Sequence, residues 1–287
     1  MKTVSRLANK KYNRIFTFGC SFSQYFWATW PEIVSTDLGI PLYNFAECGA
    51  GNQYIANTVA QAHRVYNLDH NDLVMICWTG TLREDRWVGC WRLTGDVTTS
   101  TEYDDAFIAK HVDPLGSLIR DLASLSLVKE LLSSVCCDYH MFSMIDISKP
   151  EMECQIINVS NVDIHQKLLE IYHEDVAALK PSFENVLWQD DIAQYKHAEM
   201  NEKWQNRFSD WHPQPREHLK YLSSIFDSHK FSKSTIQLVN ECQNKLDSYI
   251  KDQLEHNDSF AFSTNQGVAE DLHITKNYVD RSKMIIL

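Results

Sequence analysis

Short apolar runs recur along the first third of the chain, each closed by small residues and followed by helical spacing. Ile15 to Phe18 is such a run and predicts a buried strand. It stops at Gly19, and Cys20-Ser-Phe-Ser23 forms a turn before a helical pattern takes over from Gln24. That helix is regular once past Trp30, because Pro31 suits a first helical turn and Gly39 ends it. Pro41 to Ala46 reads as a second strand, and Glu47-Cys-Gly-Ala-Gly-Asn52 as a second glycine turn. From about Gln53 to Tyr66 the spacing predicts an amphipathic helix with Ile55, Val59 and Val65 on its apolar side. Asp72 to Trp78 is apolar throughout, as a parallel strand covered on both faces must be. This alternation predicts a doubly wound α/β fold.

The rhythm then breaks. Residues 79–113 are polar and aromatic, with Arg83, Arg86, Trp87, Trp91 and Arg92 close together, then an acidic stretch from Glu102 to Asp105. A long helix is expected from about Leu115 to Val135, and a fourth strand from Asp138 to Ile145. Residues 146–208 form a second irregular insertion with a helix near His165 to Leu179. Long loops on a compact scaffold usually carry recognition or a lid. A proline-rich turn, Ser209 to His218, starts a helix through Leu219, Leu222 and Ile225, and Lys233 to Gln253 is a further amphipathic helix. The tail from His256 has no clear pattern. The expected organisation is a domain over residues 1–230 with insertions at about 79–113 and 146–208. Residues 231–287 are a helical extension packed on it.

Composition narrows the function classes. The chain has 287 residues, enough for a full core, and a net charge of −11 that argues against nucleic acid or an anionic membrane as partner. The stretch from Met1 to Lys11 has no apolar core and no later stretch could span a bilayer, so a cytoplasmic location is expected. The eight cysteines contain no Cys-x-x-Cys pair and read as reduced, buried thiols; Cys136 and Cys137 read as packing at a helix end.

Three separated turns point to one edge of one sheet. The first carries Ser21, the second Gly49 and Gly51, and the last Asp210 and His212. A strand that stops at glycine and feeds a helix through serine puts that hydroxyl at the carboxyl edge of the sheet, near the positive end of a helix dipole. The plainer alternative is a capped helix, in which Ser21 or Ser23 only satisfies free N–H groups. Acyl transfer needs a nucleophile, a base, an acid that orients the base, and donors for the oxyanion, and these turns supply that set. His218 reads as structural, and its spacing from His212 does not suit a metal pair.

These segments resemble the SGNH, or GDSL-like, hydrolase superfamily, mostly esterases, lipases and carbohydrate deacetylases. Phe18-Gly-Cys-Ser-Phe-Ser23 resembles the Gly-Asp-Ser-Leu-Ser block, with Ser21 at the nucleophile. Asn44 to Asn52 resembles the second block, with Gly49, or alternatively Gly51, lining the oxyanion hole. Asp210 to His218 resembles the final block, with Asp210 as acid and His212 as base. The resemblance covers about residues 12–80 and 205–228.

There are three departures. The asparagine that should follow the third strand is missing from Trp78-Thr-Gly-Thr-Leu-Arg-Glu84, so Thr79, Thr81 or Arg83 is the candidate replacement donor. Asp210 and His212 are one residue closer than the usual Asp-x-x-His, and if Asp210 cannot reach, a serine–histidine dyad remains. Cys20 replaces an aspartate outside the triad.

The resemblance implies a three-layer α/β/α sandwich with a mainly parallel, flavodoxin-like sheet and two insertions. It implies a serine esterase that needs no metal or organic cofactor. The expected substrate is a small-molecule or glycan ester, favoured as a small acyl group on a carbohydrate, with Gly51, Asn52, Trp78 and Arg83 around it. An O-acyltransferase on the same triad and a non-catalytic glycan-binding or structural relative stay open.

Overall fold

A computed structural model describes residues 6–149, 162–188, 203, 207–208, 210, 212–259 and 272–284. Four parallel strands form its main sheet: β1 (Arg14–Phe18), β2 (Leu42–Asn44), β3 (Asp72–Trp78) and β6 (Asp138–Ser143), in the order β2-β1-β3-β6. Two further strands, β4 (Arg83–Trp87) and β5 (Trp91–Asp96), pair only with each other as an antiparallel hairpin. In the main sheet Ile15 lies opposite Leu42 on one side and Leu73 on the other, and Leu73 lies opposite Asp138. β3 is buried at every position, which is why its sequence is unbroken by alternation. At the amino edge, Arg14 grips Asp72 through Nε and Nη2, at 2.8 and 2.7 Å, which ties β1 to β3.

The helices follow from the crossovers. α1 (Trp30–Leu38) joins β1 to β2, and α2 (Asn52–Tyr66) joins β2 to β3. The two steps run in opposite directions across the sheet, so right-handed connections place α1 and α2 on opposite faces. α3 (Asp105–His111) is capped by Asp104, and α4 (Pro114–Val135) follows it and packs beside α2. α5 (Val162–Ile171), α6 (His173–Ala177) and α7 (Phe183–Leu187) come next. α8 (Pro215–Ile225) and α9 (Lys233–His256) close the other face, packed against α1. The result is an α/β fold of helices on both sides of a parallel sheet, with one continuous core running through it.

Several expectations need correcting. No helix begins at Gln24; residues 21–24 are a turn and α1 starts at Trp30, so Ser21 does not sit at a helix N-terminus. The second and fourth strands are shorter than expected, ending at Asn44 and Ser143. The first insertion is not irregular: residues 83–96 form the hairpin and 105–111 a helix. In the second insertion the expected long helix is broken into α5 and α6, while residues 150–161, 189–202 and 204–206 lie outside the described set.

The tail is also used. Asn277 bridges to Leu42, and its side chain both donates to the Asn44 carbonyl at 2.8 Å and accepts from the Asn44 N–H at 3.0 Å. The otherwise open edge of β2 is thereby covered. Among the seven described cysteines, all free, Cys48, Cys90 and Cys136 are exposed rather than buried. Among the described residues no helix is long and apolar enough to cross a membrane.

Candidate active site

β1 ends in a turn that leaves no room for a side chain at Gly19, where a Cβ would lie 2.1 Å from Ser23 Oγ and 3.2 Å from the Cys77 carbonyl. The turn is closed by the Ser23 N–H donating to the Cys20 carbonyl at 2.8 Å. Ser23 is wholly absorbed into scaffolding. Its hydroxyl accepts from Trp30 Nε1 at 3.0 Å, and its carbonyl accepts from the Thr29 hydroxyl and Asn44 Nδ2, both at 2.8 Å. Ser21 is different. Its Oγ lies 2.8 Å from His212 Nε2, and the residue is 6% exposed, enough to be reached from one side.

His212 is held in turn by Asp210. Asp210 Oδ1 lies 2.8 Å from His212 Nδ1 and accepts the His212 backbone N–H at 3.0 Å, so one oxygen holds both ends of the residue. The shortened Asp-x-His spacing thus folds back on itself through an Asx-type turn. The second oxygen, Oδ2, accepts the Tyr25 hydroxyl at 2.6 Å. Burial alone would raise the Asp210 pKa, but the bonds from His212 and Tyr25 outweigh it and hold the carboxyl below its ordinary value. The Tyr25 ring also lies on the imidazole face, with centroids 3.8 Å apart and planes 21° apart, and Phe22 meets the ring edge-on at 5.7 Å.

The second glycine turn is shaped by the hairpin. Gly49 has φ +79°, and a Cβ there would sit 2.4 Å from the Leu93 carbonyl of β5, so only glycine fits. Its own carbonyl accepts the Gly95 N–H at 3.0 Å. Asp85 of β4 receives the N–H groups of Gly51 and Tyr54, each at 2.8 Å, and so caps the first turn of α2. The Gly51 amide is therefore engaged, and of the two glycine candidates Gly49 keeps the stronger claim as an oxyanion donor.

The remaining candidates divide by burial. Trp78 and Asn52 are each 1% exposed and sit in the floor of the site, not on a substrate-contacting surface. Asn52 locks the end of β3: its Nδ2 donates to the Thr79 carbonyl at 3.1 Å and to Asp121 Oδ2 at 2.8 Å, and its Oδ1 accepts the Thr79 N–H at 2.9 Å. Thr79 is fully buried and Thr81 nearly so. Arg83 is half-buried and spans the carboxyl edge, donating to the Ala50 carbonyl at 3.0 Å and touching Met144 Sδ at 3.6 Å. Thr81 is as exposed as Ser21, at 6%, and Arg83 is half-buried, so of the three replacement candidates burial removes only Thr79. His218 is fully buried, edge-on to Phe183 at 5.5 Å, as a structural residue.

Two contributors escaped the sequence. Tyr25 stands four residues after Ser21 in an aromatic run, where packing was the natural expectation. Asp85 is one acid among many in an insertion with no motif.

No family model matches the chain, and no curated protein matches it. Solved structures do. One is a member of the lipolytic G-D-S-L family from Veillonella parvula, 14% identical, aligned over 74% of this chain and 96% of that one, with a TM-score of 0.36. Another is protein YXIM of Bacillus subtilis, 11% identical over 76% of this chain, with a TM-score of 0.35. The chain spans 55% of the length of that Bacillus subtilis protein. The strand order and the motif-bearing turns, not these overlays, define the α/β architecture described above.

Proposed function

We propose that this chain is a serine ester hydrolase acting through Ser21, His212 and Asp210. What supports this is one continuous relay: Ser21 Oγ to His212 Nε2 at 2.8 Å and His212 Nδ1 to Asp210 Oδ1 at 2.8 Å. His212 takes the Ser21 proton as Oγ attacks the ester carbonyl, and Asp210 keeps the Nδ1–H tautomer so that Nε2 is the basic nitrogen. The backbone N–H groups of Ser21 and Gly49 receive the oxyanion, with Arg83 as the added cationic donor in place of the absent asparagine. His212 returns its proton to the leaving alcohol. A water, deprotonated by the same nitrogen, then releases the acid from Ser21.

The substrate in this reading carries a small acyl group on a polyhydroxylated molecule such as a carbohydrate. The hairpin that packs on Gly49 presents Trp87, 49% exposed, beside Trp91 on its α2 face, an aromatic surface suited to stacking with sugar rings, while Arg86 and Glu84 lie on the opposite face. The test is labelling with a fluorophosphonate, followed by mass spectrometry of the modified peptide. Adduct on Ser21, absent in Ser21→Ala and weakened in His212→Ala, is the expected result. A folded wild-type protein that takes no label would overturn the proposal.

A further inference from the structure

The carboxylate of a triad must present one oxygen to the imidazole and hold it there. In Asp210 that oxygen is doubly used, because Oδ1 takes both Nδ1 and the backbone N–H of His212, only two residues on. The terminal torsion of an aspartate is broad and close to two-fold. Among the described residues of the Asp-x-His turn, nothing engages Oδ2.

We infer that Tyr25 is a positioning residue for the triad, pinning Asp210 through Oδ2 and covering the His212 imidazole. It thereby makes the shortened Asp-x-His spacing workable. This rests on the hydrolase reading above but is separable from it.

Three observations carry the inference. The Tyr25 hydroxyl meets Oδ2 at 2.6 Å, a short charge-assisted bond. Its ring lies flat on the imidazole at 3.8 Å, a face that attracts the imidazolium formed during proton transfer. Burial first, then the Asp210 charge, raises the Tyr25 pKa, so the phenol stays a donor at any working pH. Tyr25 is placed by its neighbours, edge-on to Trp27 at 4.7 Å, while Trp27 Nε1 donates to the Pro213 carbonyl at 2.8 Å beside His212. The aromatic run after the nucleophile and the turn carrying the base are thus stitched together.

Among the described residues, the ionisable groups facing this assembly are Asp210, Tyr25 and Cys48, which acts electrostatically on both of the others and is itself faced by Cys20, Glu47 and Arg83. Cys48 has an exposed outer edge, but loss of solvation in the crowded turn pushes its thiol up to about 12, so it stays neutral. Removing the phenol hydroxyl leaves Asp210 with one fewer donor and makes it more basic. The Asp210–His212 pair then takes up its proton at higher pH.

The experiment compares wild type, Tyr25→Phe and Tyr25→Leu by hydrolysis of p-nitrophenyl acetate, by pH–rate profile, and by the low-field proton NMR signal of His212 Nδ1–H. In Tyr25→Phe the ring stays and the hydroxyl goes. Expected are a kcat lower by about tenfold with KM little changed, an acid limb of kcat/KM moved to higher pH, and broadening and faster solvent exchange of the low-field proton as the unpinned carboxylate loosens. Tyr25→Leu, which also loses the ring, falls further in kcat. A Tyr25→Phe protein with unchanged kcat and an unchanged low-field signal would overturn the inference. If wild type is inert and unlabelled, the hydrolase reading fails, and the low-field signal alone still decides whether Tyr25 governs the Asp210–His212 contact.

Discussion

Asp85→Ala is the perturbation that best isolates what the first insertion contributes. Asp85 takes the N–H groups of Gly51 and Tyr54 at 2.8 Å each, so truncation leaves two amides of the first turn of α2 without their acceptor. A buried amide left unpaired costs on the order of 1–3 kcal/mol, and a lost helix cap about 1 kcal/mol. Against this stands the cost of burying Asp85 itself: burial raises its pKa in spite of both amide bonds and the nearby Arg120 and Arg83. Water can also reach part of the vacated site. The net loss should be about 2–3 kcal/mol, or roughly 3–5 °C in melting temperature for a chain of this size. Urea unfolding measures it, with Asp85→Asn, which keeps one acceptor, falling between the two. A loss below about 0.5 kcal/mol would refute the reasoning. It would mean that the Gly95–Gly49 and Arg83–Ala50 contacts hold the turn without Asp85.

Three further outcomes follow from the geometry. Gly49→Ala should destabilise by about 2–4 kcal/mol, from a left-handed φ and a 2.4 Å clash with the Leu93 carbonyl, and should lower kcat more than it raises KM; thermal unfolding and steady-state kinetics read both. Asp210→Asn should lower kcat by about 10⁴-fold, because the amide no longer enforces the Nδ1–H tautomer; a loss under about tenfold would point to a dyad. Asp121 is raised by burial from its ordinary 3.8 to about 6. The folded state therefore binds that proton more tightly than the unfolded chain, and the stability it contributes is present below pH 4 and lost as pH rises through 6. Relative to Asp121→Asn, wild type should lose about 3 kcal/mol across that window in denaturant titrations; a constant difference would contradict it.

Much of this protein is legible in one dimension. The unbroken apolar run of β3 announces a strand covered on both faces, and Pro31 with Gly39 brackets α1, because burial and backbone restriction are local properties of those residues. Ser21, Gly49, Asp210 and His212 can be named for the same reason, since each sits in a turn whose chemistry is written in adjacent positions. Other features depended on partners far along the chain. Asn277 covers the edge of β2 from 233 residues away, and Asp85 reaches α2 only because β4 and β5 pair. His212 meets Ser21 across 191 positions, which no local pattern specifies. Tyr25 looks in sequence like one more aromatic of the core, and only the docking of the last turn onto the first puts its hydroxyl on Asp210. Local propensity decided the elements and the residue types at their ends. Tertiary packing decided which donors meet which acceptors, because hydrogen-bond geometry depends on distances that the chain's own spacing does not set.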